Sequence, residues 1–157
     1  MARGCDSLPE PTVPSTPSSP TVIDASGLVV GRAASLIAQR LLAGEHIVVI
    51  RAERAVITGS RAAVLETYRA NRARGSVRSG PHFPRNPDRI FRRAVRGMVP
   101  HLKTRGKEAF GRLTVYIGCP EPYAKLSASS LPDAQVRPTL RSPLTLEEVS
   151  RLLGARV

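Results

Sequence analysis

Tryptophan is absent from this chain, and only three tyrosines and three phenylalanines are present. Stacking of successive bases on aromatic platforms is therefore not its main way of binding anything. Only two cysteines occur, Cys5 and Cys119, far apart and in neither a CxxC pair nor a disulfide framework, which fits a reducing compartment. There is no run of about 18 apolar residues to span a membrane. The N-terminus lacks the charged-then-apolar order of a secretory signal. Acidic residues are scarce, 12 against 24 Lys and Arg. Asp24, Glu53, Glu66, Asp88 and Glu108 each have arginines nearby, and no close carboxylate pair stands within the basic stretch. His46, His82 and His101 fall in different elements, and no His/Cys/Asp cluster has ligand spacing. No catalytic constellation, metal site or cofactor is expected.

What is present is charge and a core. The net charge is +12, a balance that points to partners of dense negative charge. At 157 residues with 41% hydrophobic side chains, the chain can form one domain with a sizeable core. Residues 1–20 are rich in Pro, Ser and Thr and are expected to be a disordered tail. Residues 21–125 read as the main domain and 126–157 as a C-terminal extension ending in a helix.

Within the domain, strands and helices alternate. Thr21–Asp24 and His46–Arg51 are apolar runs of strand length, the second suited to burial on both faces. A helix from about Val30 to Leu42, with Ala33, Ala34, Ile37 and Leu41 on one side, stops at Gly44. A short strand is expected within Ala55–Thr58, then a helix from Arg61 to about Arg74, capped by Ser60, with Ala62 or Ala63, Leu65 and Tyr68 as its apolar side. After a Gly/Pro/Arg loop, Asn86 and Pro87 open a further helix, and Thr104 is expected to cap a short one reaching Arg112. Leu113–Ile117 is the next strand, and Thr145 with Glu148 forms a capping box for the last helix. Such alternation specifies an α/β domain with a mostly parallel central sheet.

Two segments invite a ligand. Asp24–Ala33 (DASGLVVGRA) places glycines between a strand and a helix, but the spacing is G-x-x-x-G, not a dinucleotide or Walker fingerprint. Gly27 is read as serving a tight turn and Gly31 as allowing close helix–sheet approach. A nucleotide-dependent enzyme would also need an acidic partner, and Glu53, flanked by arginines, is the only passable one. The second segment is the helix after Asn86. Ile90, Phe91, Ala94, Val95 and Met98 share one side; Arg89, Arg92, Arg93 and Arg96 share another. Cations continue from Arg69, Arg72, Arg74 and Arg78 through Arg85 and on to Arg112, unbalanced by acids, as a merely solvated face would not be. Guanidinium forks suit bidentate phosphate contacts. Without a helix-turn-helix, RRM or KH signature, folded RNA recognised by shape and phosphate is the best fit.

Four collinear stretches carry a resemblance: VIDASGLVVGRAASLIAQRLL (22–42), IVVIRAERAVITG (47–59), GPHFPRNPDRIFRRAVRGMVPH (80–101) and RGKEAFGRLTVYIGCPEPY (105–123). On these, with Arg93–Pro100 (RAVRGMVP) the most specific piece, the chain resembles the universal L-thirteen family of large-subunit ribosomal proteins. GPHFPRNPDRIF and GCPEPY look like its archaeal and eukaryotic branch. The resemblance implies a three-layer α/β/α sandwich around a short, mostly parallel sheet, with basic loop and helical extensions. It also implies large-subunit ribosomal RNA and neighbouring ribosomal proteins as partners, a place on the cytoplasmic ribosome, no enzymatic activity and no small-molecule substrate. The RNA-binding residues it implies are Arg32, Arg78, His82, Arg85, Arg89, Arg92, Arg93, Arg96, His101, Lys103, Arg105 and Lys107. The tail of residues 1–20 has no counterpart in the family pattern. The alternative is an RNA-binding regulator acting off the ribosome.

Overall fold

Apolar, β-branched runs make the centre of the molecule, and their side chains alternate between two faces. The computed structural model describes residues 20–76, 78–124, 126–137 and 143–155, so most of the expected tail, residues 1–19, lies outside it. In chain order the elements are β1 (Thr21–Asp24), α1 (Val30–Ala43), β2 (Ile47–Ile50), β3 (Val56–Ile57), α2 (Arg61–Ala73), α3 (Pro87–Met98), α4 (Thr104–Gly111), β4 (Leu113–Val115), α5 (Glu121–Ala124), β5 (Leu144–Thr145) and α6 (Leu146–Leu152). β2 is the middle strand of a parallel sheet of order β1-β2-β4, with Ile23 beside Val49 and Val49 beside Val115. It is buried at all four positions, as a strand covered on both faces must be. β3 and β5 form a separate antiparallel pair.

The two faces carry unequal layers. Ile23, Ile47, Val49 and Leu113 look into the main core, filled by Ile37 and Leu41 of α1, Phe91 and Val95 of α3, and Val149 of α6. Val22, Val48 and Ile50 look the other way, under Tyr116 and Tyr123. Tyr123 belongs to the single turn of α5, so the helical layer on that face is thin. The α/β architecture is as expected.

Local signals account for most boundaries. Gly44, at φ 107, donates its N–H to the Leu41 carbonyl while Glu45 donates to Arg40, the paired bonds of a Schellman stop. Two arginines reinforce it: Arg112 donates to the Leu41 carbonyl at 3.1 Å and Arg105 to Leu42 at 3.4 Å, placing positive charge where the helix dipole is negative. Ser60 accepts the Ala63 N–H as expected; Thr145 accepts the Glu148 N–H, the first half of the expected capping box, without a return bond from the Glu148 side chain.

Several expectations are corrected. Thr104 is the first residue of α4 and Lys103 its N-cap, without a side-chain bond. Asn86 occupies the cap of α3 but likewise makes no side-chain cap bond. Met98 is 45% exposed; α3 ends there, and Val99, leaving in extended conformation, fills the core in its place. On α2 the core-facing pair is Val64 and Tyr68, four residues apart, while Ala62 is exposed. The expected strand Leu113–Ile117 is shorter, although the Tyr116 N–H still reaches the Val49 carbonyl at 2.8 Å. The C-terminal extension, expected only to end in a helix, also contains a 3-10 turn at Pro132–Ala134 and β5, and α5 precedes it.

Candidate nucleic-acid interface

α3 is built to be held on one side and free on the other. Pro87 supplies its first position without an orphan N–H, and Asp88 puts a negative charge in its first turn. Ile90, Phe91 and Val95 are buried, packing the helix alongside α1 and over β4. Arg89, Arg92, Arg93 and Arg96 are all exposed. They cover an arc of about 100° and about 10.5 Å of helix axis. The ion pairs among the described residues are Arg51–Asp24 at 2.6 Å and Arg151–Glu147 at 2.5 Å, so none of the four has a carboxylate partner there.

Two of the four are nonetheless held in place. The Arg93 guanidinium lies 3.9 Å from the centre of the Phe83 ring, and that of Arg92 4.8 Å from Phe110. Such cation–π contacts fix the plane of the guanidinium while leaving N–H groups at its edge for an anion. Arg89 and Arg96 have no such support.

The cations continue into hollows on either side. Arg72, Arg74, His82 and Arg85 line one of about 450 Å³, where the chain bends at Gly75 (φ 88) and Gly80 (φ 77). A Cβ on Gly75 would stand 2.2 Å from the Gly80 carbonyl oxygen, so this bend requires glycine. His82 and Arg85 also line the adjoining hollow with Arg89 and the end of α6. Buried Ser150 of α6 donates to the Arg85 carbonyl at 2.6 Å, anchoring the loop's backbone. Beyond the other end of α3, Arg93, Arg96 and His101 share a third hollow with Gly97.

The structure thus brings His82, Arg85 and Arg89 together, and likewise Arg93, Arg96 and His101. Arg78 is exposed in the loop; Lys103, Arg105 and Lys107 are exposed at α4, with Arg105 partly engaged on the α1 carbonyl. Arg32 is exposed in the first turn of α1, a different helix. Arg72 and Arg74, part of the cationic run but not among the candidates, line the first hollow. Arg72 also donates to the Leu153 carbonyl at 2.6 Å. Phe83 and Phe110 were not singled out by sequence; each stands beside a basic motif, but no spacing rule connects them to Arg93 and Arg92. Among the described residues no group of three or more His, Cys, Asp or Glu could hold a metal, and no helix is long and apolar enough to cross a membrane.

Residues 18–122 match the protein family described as Ribosomal protein L13. The chain belongs to that family. This L13-family chain is 49% identical over 138 residues to the large ribosomal subunit protein uL13 of Archaeoglobus fulgidus, covering 87% of this chain and 88% of that protein. It is 46% identical to the uL13 of Methanosarcina barkeri, covering 87% and 99%. With the uL13 of Methanocaldococcus jannaschii it shares 42% identity, covering 87% and 98%. These relatives are archaeal, in keeping with the branch read from the sequence motifs. Membership of this L13 family assigns the chain a structural ribosomal role and not an enzymatic one.

Proposed function

We propose that the chain works in the large ribosomal subunit, in the cytoplasm, and binds and stabilises folded ribosomal RNA through the arginine surface of α3 and its flanking hollows. The names of its archaeal relatives support the place. The observation that carries the mode of binding is the division of α3: one side buried in the core, the other bearing four exposed arginines without a carboxylate partner among the described residues. Alone, those charges repel. Between RNA segments, phosphates intervene and the repulsion becomes attraction, with release of counterions. Neighbouring ribosomal proteins would complete its surroundings.

The test is incorporation. Arg92 and Arg93 cover aromatic rings, so charge reversal there would disturb packing as well as binding. Arg89→Glu with Arg96→Glu avoids this. The double variant should fold and fail to co-sediment with large subunits. Normal co-sedimentation would refute the assignment of this face.

A further inference from the structure

Between α2 and α3 lies a hollow unlike its basic neighbours. Its walls are mostly apolar, with Tyr68 from α2, Phe83 and Pro84 from the loop, and Ile90 and Ala94 from α3; Thr67 and Asn71 of α2 add polar groups. Its volume is about 260 Å³, below the roughly 300–1,000 Å³ usual for drug-sized ligands and of the order of a single nucleoside. Arg93 lines it too, its guanidinium held 3.9 Å from the Phe83 ring centre.

We propose that this hollow receives one nucleobase extruded from a bound RNA, with Asn71 meeting the base edge and Arg93 its phosphate. The inference rests on the RNA reading of the surface and adds a base-recognition site to it. Three features select this occupant. Phe83 is a wall shared with both arginine-lined hollows of the loop, and Arg93 also lines the hollow beyond α3, so a base entering here has its backbone on the cationic track. Tyr68 and Phe83 both line the hollow, the Phe83 ring with the Arg93 guanidinium over it, and stacking on aromatic side chains or guanidinium planes is how proteins hold unpaired bases. The Asn71 amide supplies a donor and an acceptor together, the combination a base edge presents.

The experiment uses the full chain and three labelled RNA hairpins: one fully paired, one with a single bulged adenosine, and one with an abasic ribose at the bulge. Fluorescence anisotropy should give about tenfold tighter binding of the bulged-adenosine hairpin than of the abasic one. Ala94→Leu, which fills the hollow without changing charge, should collapse that difference and leave the paired hairpin unaffected. Should Ala94→Leu also weaken the paired hairpin through misfolding, Asn71→Leu carries the same test. Equal binding of bulged and abasic hairpins by the unmodified chain would overturn the proposal while leaving phosphate binding intact. So would a difference that survives both substitutions. Failure to bind any hairpin would overturn the RNA reading itself, and the base site with it.

Discussion

Replacing Arg89 and Arg96 by glutamine separates binding from folding, because the two effects have opposite signs. The four arginines of α3 form four like-charged pairs at helical spacing: 89–92, 89–93, 92–96 and 93–96. Each such pair costs about 0.2–0.5 kcal/mol on an exposed helix, and the double variant removes all four. Glutamine and arginine have similar helix propensities. The free chain should therefore gain on the order of 1 kcal/mol at low salt. That gain should fade near 1 M salt, where the screening length falls to about 3 Å. RNA binding should move the other way. Each phosphate contact contributes about 0.9 to the slope of log affinity against log salt for a duplex and about 0.7 for a single strand. Losing two flattens the slope by about 1.4–1.8, so the unmodified chain loses roughly 25- to 60-fold more affinity than the variant per tenfold rise in salt. Urea unfolding at low and high salt gives the first quantity; titration of purified large-subunit RNA across a salt series gives the second. A variant less stable than its parent at low salt would mean that these arginines hold the fold. An unchanged slope would mean that they do not meet phosphate.

Three further outcomes follow from packing. Gly106→Ala should cost about 1–3 kcal/mol, read as a lower urea midpoint, because its Cβ would stand 2.0 Å from the Pro100 carbonyl oxygen. Ser150→Ala should cost about 1–3 kcal/mol by removing the buried donor to the Arg85 carbonyl, and should weaken RNA binding through the loosened loop. Burial raises the Tyr68 phenol above its ordinary 10.0, so the folded chain holds that proton more tightly than the unfolded one; its contribution is complete below this value and lost as pH rises past it. Tyr68→Phe should therefore flatten the alkaline fall in stability measured by urea unfolding.

What could be read from sequence followed the range of the interaction. Gly44, Ser60 and Pro87 announce helix ends because their bonds or dihedral constraints lie within a turn of the residue. β2 was legible because four consecutive apolar residues suit a strand covered on both faces. β5 was not: its two residues are a strand only because Leu144 and Thr145 pair with Ile57 and Val56, almost ninety positions earlier. The 3-10 turn at Pro132–Ala134 is likewise fixed from outside, by the Val29 N–H on the Ala134 carbonyl. On the candidate face, the exposure of the α3 arginines was legible because their sign is unbalanced by acids. That Arg105 and Arg112 also cap α1 was not, since their acceptors lie 63 and 71 residues away. The seats of Arg92 and Arg93 on Phe110 and Phe83 depend on tertiary placement in the same way.

Parallel α/β sheets generally bind ligands beyond the carboxyl ends of their strands. Here the chain fills much of that region with itself. Ser129 pairs along β1, donating to the Val22 carbonyl at 2.8 Å, and Val136 donates to Gly27 at 3.1 Å across the glycine turn. Leu131 and Ala134 are buried there. The carboxylates nearby are engaged: Asp24 by Arg51 and the Ser26 N–H, Glu53 by the Gly118 N–H at 3.0 Å. The glycine turn that could have suggested a phosphate cradle is thus closed by backbone pairing. The large concentration of unpartnered charge lies instead on the helical layer, on the outer side of a helix whose inner side is core. In the proposed mode of binding, binding and folding are coupled through that helix. A polyanion that neutralises Arg89, Arg92, Arg93 and Arg96 relieves their mutual repulsion, so the chain should be more stable bound than free by more than the contacts alone supply. It is this repulsion that the Arg89/Arg96 glutamine variant measures.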